Sequence, residues 1–122
     1  MIKKIMKGKM DYDFEYDILF FKKVNGTYQK SVECENIVID IDKKGLVSGL
    51  QIQEASKFLE IPKSQLTKIP KWDFKALVQD GKIELRLHLK ILMRNKTIEK
   101  HPIIMQNLSQ SLPNSELVCE AS

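Results

Sequence analysis

The sequence predicts an α+β fold in which an antiparallel β-meander is followed by one or two short helices and then by a second antiparallel β-hairpin sheet. Apolar and polar residues alternate in several short runs, which is the period of a half-buried strand. The dipeptides Asn25-Gly26 and Asp80-Gly81 are strong hairpin signals, because both turn positions accept a positive φ. Between these runs, residues 53–61 change to a helical spacing.

The first half of the chain is predicted to be the meander. Residues 36–42, "NIVIDID", show the alternation clearly, with Ile37, Ile39 and Ile41 on one face. Short links join this run to its neighbours, as in antiparallel sheets. The predicted strands of this half are 9–13, 17–23, 27–34, 36–42 and 46–53.

The stretch "IDIDKKG" at 39–45 could form either a metal-binding loop or a turn between two strands. A calcium loop needs about 12 residues with further oxygen ligands and a closing glutamate, whereas this chain runs into "LVSGLQI" directly after Gly45. "DKKG" fits a type I turn, with Asp42 first and Gly45 fourth. The Asp42 carboxylate is expected to accept backbone N–H groups there, and Asp40 is expected to follow from strand alternation.

The middle of the chain predicts two short helices. Ala55, Phe58 and Leu59 share one helical face in the first, and Pro62 ends it. Residues 62–69 predict the second helix, with a proline near its start.

The second half predicts another sheet. Residues 72–79 lead through Asp80-Gly81 to residues 82–93, where six apolar side chains alternate with polar ones. Residues 97–106 are predicted to form an edge strand, because Pro102 lacks an N–H. We expect one domain, 1–122, made of a strand–helix unit at 9–60, a sheet portion at 72–106 and a loose tail at 107–122.

His88 and His101 are the two histidines of the chain. A two-residue turn at Asn95-Lys96 would place Lys90 opposite His101, with His88 diagonal to His101 on the polar face. Such a pair could begin a metal site, but the sequence shows no third ligand. We interpret both histidines as exposed residues of the polar face.

Five acidic residues form the candidate acidic cluster of this sequence. Three of them alternate and could share one face, as paired carboxylates do in some hydrolases. The alternative interpretation is that short acidic side chains bond backbone amides around turns. No catalytic, cofactor-binding or metal-binding residue is assigned, and no cofactor is expected. The cluster comprises Asp13, Glu15, Asp17, Asp40 and Asp42.

Composition indicates a globular protein, with 43% hydrophobic and 30% charged residues. Apolar runs are too short for a membrane span, and the two cysteines match no disulfide framework or zinc pattern, so we expect a reducing cytoplasm. The net charge of +4 is uneven, since residues 1–10 carry four lysines and residues 61–122 carry ten basic and six acidic side chains. A basic second half is one signature of nucleic-acid binding.

The first half resembles the small uncharacterised family called domain of unknown function 2283, over about residues 9–60. The resemblance is carried by "YDFEYDILFF" at 12–21 and "IVIDIDKKGLVSGLQIQEASKFL" at 37–59. It departs at Gln51, where the family usually has a glutamate. The resemblance implies an α+β fold with strands followed by a helix, and no activity. The matching positions are Tyr12, Asp13, Glu15, Asp17, Asp40, Asp42, Gly45, Gly49, Ala55 and Ser56.

For function, the leading hypothesis is a small cytoplasmic module without enzymatic activity that acts by self-association or by binding a protein partner. Homodimerisation is expected through residues 82–93, whose apolar face needs cover. One alternative is nucleic-acid binding through the basic second half. Another is a hydrolase or metal enzyme that uses the acidic cluster. The sequence does not distinguish a ligand or a pathway.

Overall fold

The computed structural model describes residues 1–24 and 27–121. The predicted hairpin turn at Asn25-Gly26 lies outside these residues. The helices are α1 (Ala55–Leu59) and α2 (Lys63–Leu66). The strands are β1 (Ile2–Asp13), β2 (Ile18–Lys23), β3 (Lys30–Cys34), β4 (Ile37–Ile41), β5 (Val47–Ile52), β6 (Lys71–Gln79), β7 (Lys82–Met93), β8 (Lys96–Lys100), β9 (Ile103–Asn107) and β10 (Ser115–Ala121).

All the described strands join one curled mixed sheet. Its order is β3-β4-β5-β2-β1-β10-β6-β7-β8, and β9 continues the edge beside β8 by pairing with the first half of β7. The β1–β10 pair is parallel, and the other pairs are antiparallel. The Phe21 ring on β2 lies 4.8 Å from the Trp72 ring on β6, although two strands separate them in the sheet. The sheet therefore curls over its own apolar face.

The predicted α+β class is wrong. Strands account for 61% of the chain and helices for only 8%. The first half is not the predicted meander, because β2 pairs with β1 and β5 and not with β3, and the second hairpin belongs to the same sheet. Both short helices and the Asp80-Gly81 turn were predicted, and both residues of this turn have positive φ. Strand β1 begins at Ile2, seven residues before the predicted start. The class failed because the helices are single turns that fill gaps in the core rather than forming a layer.

The predicted loose tail is also wrong. Residues 115–121 form β10, which lies between β1 and β6 and joins the two halves of the sheet. Leu117 and Cys119 point into the core, with 2% and 0% of their surface exposed. The alternation over "SELVCEA" is short and is preceded by polar residues, so its strand character depends on having neighbours on both sides.

The core lies on the concave face of the sheet. Phe21, Trp72 and Phe74 pack together near its centre, and Leu59 and Leu66 from the two helices join the same cluster. Helix α2 contacts β7. Neither helix in the described part of the chain is long and apolar enough to cross a membrane.

Gly8 lets the sheet curl tightly at β1. A Cβ atom there would overlap Cys119 Sγ and would lie 2.9 Å from both the Trp72 ring and the carbonyl oxygen of Lys22. These contacts are closer than real Cβ atoms make. A residue without a side chain is therefore required where β10 and β6 close over β1.

The long strand β7 is covered within the chain. It pairs with β6 on one side and with β8 and β9 on the other. Five of its six alternating apolar side chains are buried, from Ile83 to Ile91. The strand therefore needs no second chain to cover its apolar face. The predicted edge strand at 97–106 is two strands, β8 and β9, and Pro102 lies between them.

Candidate functional site

Asp17 ties the first turn of the sheet to helix α1. It accepts hydrogen bonds from the Tyr12 hydroxyl at 2.7 Å and from the Ser56 hydroxyl at 2.6 Å, as well as from the Ser56 backbone N–H at 3.0 Å. Its own carbonyl oxygen accepts the N–H of Ala55. The Asp17 side chain, which comes from a distant turn, therefore caps the N-terminus of helix α1. Glu54, the residue at the N-cap position, makes no side-chain hydrogen bond there.

These contacts lower the pKa of Asp17. Burial alone would raise this pKa, but the hydrogen bonds from Ser56 and Tyr12, together with the charge of Lys63, outweigh burial. Burial and the bond to Asp17 raise the pKa of Tyr12. We call the hydrogen-bonded group of Tyr12, Asp17 and Ser56 the Asp17 clasp. All three residues belong to the family motif described above.

Of the two other acidic residues near this turn, Asp13 bonds its backbone and Glu15 faces solvent. Asp13 accepts the N–H of Tyr16, three residues on, at 3.0 Å, so its side chain bonds the backbone of the turn. Glu15 is exposed. Nearby, the Lys63 ammonium donates to the Phe14 carbonyl oxygen and lies 5.3 Å from the centre of the Phe14 ring.

Asp42 heads its turn as predicted. One carboxylate oxygen accepts the N–H groups of Lys44 and Leu46 at 2.9 and 3.0 Å, and Gly45 has a φ of 81°. The other oxygen accepts from Lys23 Nζ at 3.1 Å, in an ion pair whose side chains are 4% and 11% exposed. Burial would raise the pKa of Asp42, but these bonds together lower it.

Asp40 lies between Ile39 and Ile41 on β4, so its side chain faces away from the apolar core, and it is 4% exposed. Its carboxylate accepts from the Ser31 hydroxyl at 3.2 Å and from the Gln51 side-chain amide at 3.3 Å. A Cβ atom at Gly49 would lie 3.1 Å from this carboxylate, so the glycine makes room for it. At Gln51, where the family usually has glutamate, the amide supplies a donor that a carboxylate lacks.

The five acids do not form a group of metal-ligand spacing in the part of the chain that the structure describes. Asp13 and Asp17 belong to the β1–β2 turn, whereas Asp40 lies on β4 and Asp42 lies in the turn after it. The turn interpretation accounts for the hydrogen bonds of Asp13 and Asp42, and Asp17 adds a helix cap that the sequence did not reveal.

The two cysteines are buried, unpaired thiols. Burial raises the pKa of Cys119 to about 11 and also raises that of Cys34. A nucleophilic cysteine needs a lowered pKa and partial exposure. Neither thiol has the environment of a reactive cysteine.

A second polar group lies on the outer face of β7 and β8. The predicted register there is wrong, because the hairpin turn is Arg94-Asn95, both with positive φ, and Met93 pairs with Lys96. Asn readily takes the left-handed conformation that this turn requires. The one-residue shift of the turn moves the pairing by two residues, so that Lys90 faces Glu99.

The shifted register stacks the two histidines and brings a carboxylate to them. The rings of His88 and His101 are 4.6 Å apart and nearly parallel, at 8°. Glu99 lies 3.4 Å from His88 Nε2 and 3.7 Å from His101 Nε2. One ligand atom from each residue lies within 4.8 Å of the others. Glu99 was not among the residues predicted from the sequence, although strand alternation with the correct turn places it on the same face as both histidines.

The lowered pKa values of Asp17 and Asp42 predict acid lability. A carboxylate with a lower pKa in the folded than in the unfolded chain stabilises the fold above the unfolded value, about 3.9 for Asp. This stability is lost as pH falls through the folded pKa values. We expect the urea midpoint to be flat near neutral pH and to fall below about pH 4. The double variant Asp17→Asn/Asp42→Asn should be less stable at pH 7 and should lose less on acidification. Equal slopes in both proteins would contradict the assignment.

Comparisons of the amino-acid sequence place the chain in a family. Residues 9–56 match the family described as "Protein of unknown function (DUF2283)". "Uncharacterized protein MJ0789" from Methanocaldococcus jannaschii is 32% identical over 114 residues, which cover 93% of this chain and 98% of that protein. A protein of Methanosarcina mazei named "Putative hypoxanthine phosphoribosyltransferase" is 30% identical over 92 residues, 75% of each chain. No solved structure matches.

The matched segment contains the Asp17 clasp, the Asp42 turn and the Asp40 contacts, which gives the shared motif a structural basis. The resemblance expected from the residues is confirmed, and the similarity to the Methanocaldococcus jannaschii protein extends over nearly the whole of both chains. The chain therefore belongs to the DUF2283 family of proteins of unknown function.

Proposed function

We propose that the protein is a small cytoplasmic module without enzymatic activity that acts by binding a second copy of itself. The observation that carries the proposal is β9, an edge strand that pairs with β7 alone within the described chain. Its residues Ile103 and Met105 are 56% and 70% exposed. An edge strand with exposed apolar side chains is a template for pairing with another chain.

The β9 edge supports self-association, whereas the apolar face of β7 does not, because the chain itself covers that face. The opposite edge, β3, is less suited to pairing, because it exposes Lys30 and Glu33 and buries its apolar side chains. Two β9 strands that pair antiparallel about a two-fold axis would centre on Met105, and two-fold symmetry is the commonest closed arrangement. The two unpaired thiols fit a reducing compartment such as the cytoplasm.

Light scattering coupled to size exclusion tests the dimer. We expect twice the chain mass at micromolar concentration and the mass of one chain for the double variant Ile103→Lys/Met105→Lys, because two ammonium groups would be forced into the contact. The variant should still fold as a single chain with the far-ultraviolet circular dichroism spectrum of the wild type, since both side chains are exposed.

Ile5→Lys is the matched control, because Ile5 is 76% exposed but lies on β1, which is separated from β9 in the sheet by β10, β6 and β7. This control should remain dimeric. A wild-type protein of single-chain mass contradicts the proposal, and so does a dimer that the β9 variant leaves intact.

Nucleic-acid binding is less well supported. Several lysines of the basic segments have acidic partners on the same surface, with Lys3 and Lys75 beside Glu116 and Lys7 beside Glu120. These carboxylates would oppose phosphate groups. Binding to DNA or RNA at low salt that weakens steeply with added salt would favour this alternative over self-association.

Carboxylate-dependent hydrolysis is also less well supported, since Asp17 and Asp42 each use both carboxylate oxygens in hydrogen bonds within the fold. A general base needs an oxygen within reach of a substrate. Hydrolysis in a phosphatase and nuclease screen that Asp40→Asn abolishes would overturn the assignment as a module without activity.

The name of the Methanosarcina mazei relative suggests transfer of a phosphoribosyl group to hypoxanthine. Diphosphate groups are commonly held at the start of a substantial helix after a glycine-rich loop, and α1 and α2 have five and four residues. We therefore do not carry this activity over. Formation of inosine monophosphate from hypoxanthine and phosphoribosyl diphosphate would overturn the proposed absence of activity.

A further inference from the structure

Beyond self-association, we propose that His88, Glu99 and His101 bind a divalent transition-metal cation of the zinc class. The three side chains lie on the outer face of the sheet, where β7 and the end of β8 meet. Each offers one ligand atom, and these atoms lie within 4.8 Å of one another. Since all three belong to one chain, the proposed site does not depend on the dimer.

The donor set matches the proposed metal. Two imidazole nitrogens and one carboxylate are the protein ligands of many open zinc sites, with metal–nitrogen distances of about 2.0–2.1 Å. Binding requires the side chains to close by rotation about their own bonds. This movement is possible because the Glu99 and His101 side chains are 46% and 62% exposed. The paired strands hold the backbone in place, and water would occupy the remaining position.

Asp73 on β6 orients the inner histidine. Its carboxylate lies 3.1 Å from His88 Nδ1, where it can accept the hydrogen of the tautomer that is protonated on Nδ1. The lone pair of Nε2 then points toward Glu99, 3.4 Å away. A carboxylate behind a histidine in this way is the usual outer partner of a metal-binding imidazole.

In this tautomer of His88, Nε2 and the Glu99 oxygen are both acceptors, and no hydrogen lies between them. A cation bound by both removes this repulsion. Lys90 supplies part of the same compensation, with Nζ 3.6 Å from Glu99. The metal and the Lys90 ammonium therefore compete for one carboxylate, and Lys90→Met should tighten metal binding.

The experiment uses the full chain without a histidine tag, freed of metal by a chelator. We expect one Co²⁺ to bind per chain at micromolar concentration, with visible absorption bands of a low-coordinate ion and no thiolate charge-transfer band, since both cysteines are buried. Zn²⁺ should displace the Co²⁺ and should raise the thermal midpoint of unfolding.

His101→Gln and Glu99→Gln should each weaken Co²⁺ binding at least about tenfold, because each removes one of three ligands. Asp73→Asn, which changes no ligand, should weaken it by about 10–100-fold. Glu33→Gln is the control, since it neutralises an exposed carboxylate on β3, at the opposite end of the strand order, and it should bind as the wild type does.

The proposal is overturned if the wild-type chain binds no Co²⁺ or Zn²⁺ at micromolar concentration. It is also overturned if His101→Gln and Glu99→Gln bind with wild-type affinity. The dimer is a separate matter, because Ile103→Lys/Met105→Lys should bind Co²⁺ as a single chain.

Discussion

Ending the chain after Leu112 should abolish cooperative folding. The deletion removes β10, which pairs with β1 along Ile2–Gly8 and with β6 along Asp73–Val78. Without β10 the sheet separates into two pieces, and each gains a new edge beside an uncovered apolar face. The deletion should lower the free energy of unfolding by more than a single side-chain substitution does. Domains of this size have a free energy of unfolding of only about 5–15 kcal/mol. Thermal melting followed by near-ultraviolet circular dichroism measures it.

Two substitutions separate loss of β10 from a general effect of shortening the chain. Leu117→Asp places a charge in the core, where Leu117 is 2% exposed, and should destabilise by several kcal/mol. Val118→Asp is the matched control, because Val118 is only partly buried and pairs with Lys75 on the outer face. It should change stability by about 1 kcal/mol or less. A shortened chain that melts cooperatively at the wild-type midpoint would show that β10 is dispensable.

Replacing Lys23 with methionine should lower the free energy of unfolding by about 3–5 kcal/mol, the cost of leaving one member of a buried ion pair without its partner. Lys23 Nζ lies 3.1 Å from the Asp42 carboxylate, and the two side chains are 11% and 4% exposed. Methionine fills similar space, so lost packing contributes little. Urea unfolding at neutral pH gives the difference.

Adding Asp42→Asn to the Lys23→Met variant should recover most of the loss, to within about 1–2 kcal/mol of wild type, since no buried charge remains. The asparagine oxygen can still accept the N–H groups of Lys44 and Leu46, which both use the same carboxylate oxygen in the native chain. Lys7→Met is the control, because its pair with Glu120 is exposed and should be worth less than about 1 kcal/mol. Equal losses in Lys7→Met and Lys23→Met would contradict a special role for the buried pair.

Local chemistry predicted the Asp42 turn but not the Asp17 clasp. Asp42 bonds residues two and four positions away, within the range that turn geometry fixes. Asp17 bonds Ser56, 39 positions away, and no local pattern connects them. The family motif includes Tyr12, Asp17 and Ser56, but only the folded chain shows that their side chains contact one another.

The candidate metal site depended on one turn. Alternation correctly placed His88 and His101 on the polar face, because side-chain direction in a strand repeats every two residues. Moving a hairpin turn by one residue preserves that face but slides the partner by two positions. Arg94-Asn95 as the turn therefore brings Glu99 to the histidines, whereas Asn95-Lys96 would not.

The sequence by itself determined where most strands lie, where both helices begin and end to within a few residues, and which side chains face the core. Backbone preference and the two-residue period are local properties, so a single chain displays them. The tertiary structure alone decided that β10 runs parallel to β1 between the two halves, and that the halves form one sheet. A strand's own pattern shows which face is apolar but not which strands will be its neighbours. That choice is made by long-range packing, here by the closure of Trp72 and Cys119 over Gly8.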